Sequence, residues 1–395
     1  MKKRLFALLL VLVMLVPMLA ACNTSESENK GNDENNGGAG DNGIPKVSEG
    51  LAFELNSDES GYIVVGVGAC ADTKIVIPAT HEEKPVTGIG ERAFFQRDHI
   101  TSVTIPDGVT SIGKSAFWYC DALTSVTIPN SVTSIGETAF GYCRSLAGIT
   151  IPNSTTSIGE MAFTDCSRLT SITVESENPV YHSAGNCLIE TESKALLKGC
   201  VNSIIPADGS VTSIGRSAFQ SCSGLTSIAI PDGVTSIGRY AFGYCGSLTS
   251  VTLPESITRI EGSTFEGCSS LKSINIPDNV TSIGGNAFCG CGFGLTSMTI
   301  GNGVTTIESL AFQSCFSLES ITIGSGVKSI GGSVFKGCTN LEAIYYVGTI
   351  SDWDKISIDT ANEEIASATI YFYRESPALT GNYWHYDENG NPVAW

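Results

Sequence analysis

The stretch "LTSVTIPNSVTSIGETAFGYC", Leu123–Cys143, decides the fold. "ITSVTIPDGVTSIGKSAFWYC" (Ile100–Cys120) precedes it, and "LTSIAIPDGVTSIGRYAFGYC" (Leu225–Cys245) writes it again. Aligned on phenylalanine, the copies fall at Phe94, Phe117, Phe140, Phe163, Phe219, Phe242, Phe265, Phe288, Phe312 and Phe335. The spacing is 23 residues except for one step of 24 and one of 56, the latter a single period carrying a 33-residue insertion. Within one unit Leu123, Val126 and Ile128 alternate with Ser125 and Thr127, the pattern of a short half-buried strand. Pro129, Asn130 and Ser131 punctuate, Val132 and Ile135 return inward, and Gly136 permits a bend before Ala139 and Phe140. No unit can bury its apolar residues alone, but stacked units share a continuous core. The fold class expected is between α/β and mostly β: a solenoid of about ten 23-residue coils with parallel strands roughly 4.8 Å apart, capped at both ends.

The phrase "LTSVTIPxxVTSIGxxAFxxC" resembles the leucine-rich repeats of BspA-like (Treponema-type) bacterial surface proteins over roughly residues 47–345. The flanks resemble that family too: "SEGLAFELNSDESGYIVVGVGACADTKIVIP" its N-terminal cap, "IYYVGTISDWDKISI" and "NYWHYDENGNPVAW" its C-terminal segments. "ENPVYHSAGNCLIETESKALLKGC" resembles a hairpin-bearing repeat variant, which accounts for the insertion. The resemblance implies extracellular binding or adhesion, without a particular ligand.

The N-terminus reads as an export signal: Lys2, Lys3 and Arg4, then twelve apolar residues from Leu5 to Val16. That run is short for a membrane span, which needs about 20 residues. "LAAC", Leu19–Cys22, resembles a lipoprotein lipobox, which implies cleavage before Cys22 and a lipid thioether on its sulfur. Residues 23–43 contain no large apolar side chain and read as a solvated tether. The division expected is signal peptide 1–21, lipidated cysteine and tether 22–45, N-terminal cap 46–80, solenoid 81–345 with a hairpin insertion at about 175–204, and C-terminal cap 346–395. Removing residues 1–21 removes three positive charges and takes the net charge from −18 to −21. So acidic a surface repels phosphate backbones and anionic headgroups, which disfavours nucleic acid and leaves membrane attachment to the lipid.

Nine units end in cysteine: Cys120, Cys143, Cys166, Cys222, Cys245, Cys268, Cys291, Cys315 and Cys338. Cys70 and Cys200 stand at the head of shortened coils, where the same column is expected to continue. Export suggests disulfides, but in-register stacking argues otherwise. Parallel Cα–Cβ vectors on coils roughly 4.8 Å apart leave the Cβ atoms beyond the preferred 3.5–4.5 Å. A column of small, weakly polar buried thiols is the reading that follows. Cys187, in the insertion, and Cys289, outside the column, are expected to be free. No adjacent histidine completes a metal site, and no metal or cofactor is expected.

Chemistry is sparse elsewhere. His81, His99, His182 and His385 have no nucleophile partner in a recognisable motif, and "GVGACA" (Gly66–Ala71) is followed by another strand where a dinucleotide site needs a helix. "DENGN" (Asp387–Asn391) reads as a turn between the short strands "YWHY" and "PVAW". No catalytic residue is assigned, and the chain reads as a non-enzyme. Function falls to the outside of the solenoid. Hydroxyls such as Thr127 and Thr150 line the outward strand face, from Ser102/Thr104 to Ser320/Thr322, where Thr also serves as a good strand former. Two residues after the repeat phenylalanine stand Tyr119, Tyr142 and Tyr244, with Trp118 beside the first, and Tyr119 and Tyr142 should stack along one edge. These residues form the candidate contact surface of a lipid-anchored, adhesin-like protein on the extracellular face of the membrane. Its partner is expected to be an extracellular protein of a host or neighbouring cell, or a surface glycan.

Overall fold

The computed structural model describes residues 46–377 and 380–395. The expected signal peptide, Cys22 and the expected tether lie outside the described residues. What the chain builds is a repetition of short, mainly parallel strands in two ladders. One ladder takes the SIG segments: Lys84–Ile89, Ser111–Ile112, Ser134–Ile135 and Ser157–Ile158 pair in parallel. The other takes the VTI segments, for example Ser102–Thr104 with Ser125–Thr127, in register residue for residue. After the insertion both ladders resume, the first running to Ser357–Ile358 and the second to Tyr383–Tyr386. Because the flanking segments and the shortened unit also complete turns, the solenoid has about fourteen coils where the phenylalanine count predicts ten.

A strict repeat places each side chain above its counterpart. The phenylalanines are buried and form two stacks, Phe94 to Phe163 and Phe219 to Phe335. Adjacent rings lie 5.0–5.6 Å apart with planes 3–13° from parallel. Offset stacking of this kind adds roughly 0.5–1.5 kcal/mol per pair to the burial of each ring. The SIG glycines let the coils close to that spacing, since a Cβ on Gly136 would lie 2.6 Å from the backbone carbon of Gly113. Threonines at the strand starts also hold the stack. Thr110 Oγ1 donates to the Thr87 carbonyl at 3.2 Å, and Thr133 Oγ1 to that of Thr110 at 3.1 Å.

All thirteen described cysteines are free. Eight of the nine column thiols donate to the carbonyl of the preceding coil's phenylalanine, as Cys143 Sγ does to Phe117 O at 3.2 Å and Cys268 Sγ to Phe242 O at 3.1 Å, and Cys222 Sγ faces Gly199 O at 3.8 Å. The thiol therefore does more than fill space: it is a small donor facing a carbonyl that the turn leaves half-satisfied. Cys200 is buried, but its thiol faces Asn186 O at 3.8 Å in the inserted hairpin. Cys70 is only half-buried. Cys289 is half-buried against Gln313, and Cys187 is buried.

The insertion is a hairpin, Tyr181–Ala184 against Cys187–Glu190, turned by Gly185 and Asn186 at φ 56° and 59°. Positive φ at both central residues is the two-residue turn that matches strand twist. At the start, Ala52–Leu55 pairs antiparallel with Tyr62–Gly66. At the end, two short helices, Ile350–Trp353 and Glu363–Ser367, interrupt the coils. Tyr383–Tyr386 then turns antiparallel into Pro392–Ala394.

Two outcomes follow. Phe242→Ala, in the middle of the second stack, should destabilise the fold by about 3–5 kcal/mol, read as a lowered urea midpoint. Burial raises the thiols of Cys120, Cys166 and Cys268 to about 12 and those of Cys143, Cys245 and Cys291 well above their ordinary value. Their stabilising contribution is complete below the unfolded thiol pKa of about 8.5 and is lost as pH rises above it toward the folded values. The unfolding free energy should fall as pH rises from about 8.5 to 10, by at most about 1.4 kcal/mol per pH unit for each buried thiol, read as a lowered urea midpoint. Cys245→Ala should make that fall shallower.

Candidate binding surface

Each coil makes a tight turn between its phenylalanine and its cysteine, and the residue two after the phenylalanine adopts positive φ there. Gly267, Gly290 and Gly337 occupy this slot at φ 70–80°, and Gln96, Asp165, Ser221 and Ser314 occupy it at φ 55–60°. Tyr119 and Tyr142 occupy it at φ 61° and 59°, a conformation disfavoured for a bulky side chain. Their backbones are held by the ladder, Tyr119 N–H donating to Gly141 O at 2.9 Å and Tyr142 N–H to Thr164 O at 2.8 Å.

With the backbone so fixed, the two phenol rings stack 4.3 Å apart and 13° from parallel. The Trp118 ring lies 4.8 Å from Tyr142, and its indole rests over Gly141, where a Cβ would come within 2.5 Å of Cε3. Arg144 lies over both tyrosines, 5.5 Å and 5.2 Å from the centroids, and pairs with Asp121 at 2.9 Å. Trp118, Tyr119 and Tyr142 are half-buried. Burial, and after it the nearby Asp165 carboxylate, raises the Tyr142 phenol above its ordinary pKa. Aromatic faces with a partly desolvated guanidinium are the side chains that anchor protein interfaces.

Tyr244 does not join this cluster. It lies beyond the insertion, 47% exposed, and donates to Glu266 at 2.5 Å, a bond that raises its pKa. Thr127 and Thr150 are exposed on the strand face, away from the turn edge. The hydroxyl face is open over most of its length, but at its far end Thr322 is only 2% exposed. There the C-terminal hairpin turns back over the sheet. Gly390, Asn391 and Pro392 close one side of a groove of about 630 Å³ whose floor carries Ser250, Thr252, Ser273, Asn275, Ser297 and Thr299. In register beyond Thr322 the column continues as Tyr345 and Tyr371, stacked 5.3 Å apart. Within the C-terminal aromatic group Trp384 is fully buried and donates to Tyr346 O at 3.0 Å, whereas Trp395 stays 46% exposed, stacked on His385.

Sequence reasoning missed Arg144, the groove, and the exposed pair Phe293 and Phe316, 79% and 43% exposed and 6.3 Å apart. A signal for the last existed in the one-residue lengthening that contains Phe293. Of the histidines, His81 stacks on Phe53 at 4.0 Å and His182 Nδ1 faces Thr191 Oγ1 at 2.9 Å. Among the described residues no three His, Cys, Asp or Glu side chains are grouped as a metal would need, and no helix is long and apolar enough to cross a membrane.

The family model "BspA type Leucine rich repeat region" matches the chain in six copies over residues 70–184, 189–315 and 263–369. A leucine rich cell surface protein of Faecalibacterium prausnitzii A2-165 is 29% identical, with a TM-score of 0.52, over 79% of this chain and 97% of that one. The pneumococcal vaccine antigen PcpA is 21% identical, with a TM-score of 0.55, over 77% of this chain and 74% of that one, a likeness of fold alone. No curated protein matches the chain.

Proposed function

We propose that this chain, which belongs to the BspA type leucine rich repeat family, is an adhesin-like binding protein held at the cell surface by a lipid on Cys22. In this reading it engages an extracellular protein through the edge formed by Trp118, Tyr119, Tyr142 and Arg144. The observation that carries it is the stacked tyrosine pair under Arg144, in a positive-φ backbone slot that other coils fill mostly with glycine or small polar residues. Placing two large aromatics there costs stability at each position, and packing alone does not require them. The Faecalibacterium relative, described as a cell surface protein, supports the location. Catalysis forms no part of the proposal.

A second reading rests on the hydroxyl-floored groove beneath the C-terminal hairpin, with Tyr345 and Tyr371 beyond its end. Hydroxyls and stacked aromatic faces suit a surface polysaccharide. Binding of the full chain to panels of extracellular matrix and serum proteins and to a glycan array separates the two. A protein ligand lost about tenfold or more in Tyr119→Ser/Tyr142→Ser, with Tyr371→Ser unaffected, is the expected result. Glycan binding alone, sensitive to Tyr371→Ser, would replace the first reading with the second. The lipid is tested separately: the full chain should partition into detergent, and Cys22→Ala should stay in the aqueous phase.

A further inference from the structure

The phenylalanine stack is broken at one coil, and what occupies the break is charged. Ala195–Lys198 pairs in parallel with Ser213–Ile214, as any coil does with the next. Yet Cys200 follows Leu196 by four residues, whereas Cys222 follows Ile214 by eight. The turn between is missing. Gly199 stands in the phenylalanine slot, its N–H donating to Ala218 O at 2.9 Å as that of Phe117 does to Ala139 O at 2.7 Å. The Phe219 ring has moved into the vacated space, so that a Cβ on Gly199 would lie 2.1 Å from Phe219 Cε1.

The missing turn leaves a cavity of about 110 Å³ between the coils of Phe163 and Phe219. Ala162, Phe163, Leu188 and Leu197 form apolar walls, and Lys198 and Ser217 add the polar ones. Lys198 and Ser217 are each 3% exposed, and neither Lys198 Nζ nor Ser217 Oγ has a hydrogen-bond partner. In an intact coil the equivalent hydroxyl, Ser115, is paired with Thr138 Oγ1 at 2.8 Å. At the mouth Arg216 and Glu160, half exposed, form an ion pair at 3.1 Å, so each already has its counter-charge. Asp165, whose Oδ2 is also unpartnered, does not line the cavity. An ammonium and a hydroxyl buried without acceptors are costly unless something in the cavity accepts from both.

We propose that this cavity binds a small organic monocarboxylate. The carboxylate accepts from Lys198 Nζ and Ser217 Oγ and sets a counter-charge against the ammonium, and a short alkyl tail lies against Phe163, Leu188 and Leu197. A closed cavity of about 150 Å³ holds the six carbons of benzene, so this one encloses roughly four or five heavy atoms, with a sixth reaching its open mouth. Acetate, propionate and butyrate fit that size, and octanoate does not. The site is separate from the tyrosine edge, so it stands or falls independently of the adhesin reading.

Calorimetric titration of the full chain with sodium butyrate, acetate, octanoate and chloride and with butyramide tests the proposal. Butyrate should bind at one site per chain and raise the melting temperature, while octanoate, chloride and butyramide should do neither. Lys198→Met should abolish the heat of binding, and Ser217→Ala should weaken affinity about tenfold. No butyrate binding to the wild type, equal binding of butyramide, or full binding by Lys198→Met would each overturn the proposal and leave a cavity that holds water only. Circular dichroism checks the fold of both variants. Should Lys198→Met fail to fold, unchanged butyrate affinity in Ser217→Ala is the overturning result.

Discussion

The coil-on-coil contact at a spacing set by backbone hydrogen bonds is the constraint from which the rest of the molecule follows. Parallel ladders on two faces fix the rise, and a residue repeated every 23 positions must then meet itself. That single condition selects flat rings that stack, a thiol small enough to sit over its own copy, and glycine where backbones nearly touch. It also explains why the column cysteines are free thiols: their sulfurs are directed at carbonyls of the preceding coil.

A one-dimensional array carries errors in a way a globule does not. Removing four residues from one turn, between Leu196 and Cys200, cannot be absorbed by neighbours on all sides. The coils on either side reach across instead, with Arg216 pairing to Glu160, Thr164 to Gln220 and Ser221 to Asp165. These contacts span the gap at its rim but not at its centre, and three of the buried polar atoms without partners, on Asp165, Lys198 and Ser217, collect around this one irregularity. Regularity elsewhere makes the departure informative.

The outer surface divides by the same logic. Positions that hold the stack together, such as the strand-start threonines, are hydroxyls for a structural reason and say little about recognition. Positive-φ positions that most coils fill with glycine or a small polar residue, yet where an aromatic stands, have no such reason. Tyr119 and Tyr142 are of the second kind, and Arg144 joins them because a coil spacing brings its guanidinium over both rings.

The amino-acid sequence by itself determined the stacked-coil fold, the buried phenylalanines and the buried column thiols, because all three concern a position meeting its own copy and a constant period guarantees the meeting. Thr322 looked as open as Thr127, and the coils numbered about ten instead of fourteen, because a hairpin folding back and flanks completing turns carry no repeat signature. Contacts between unlike positions were decided only in three dimensions: Arg144 over the tyrosines, Pro392 over the groove, Lys198 at the break. Each depends on which side chain lies beside a non-equivalent one, and periodicity holds no information about that.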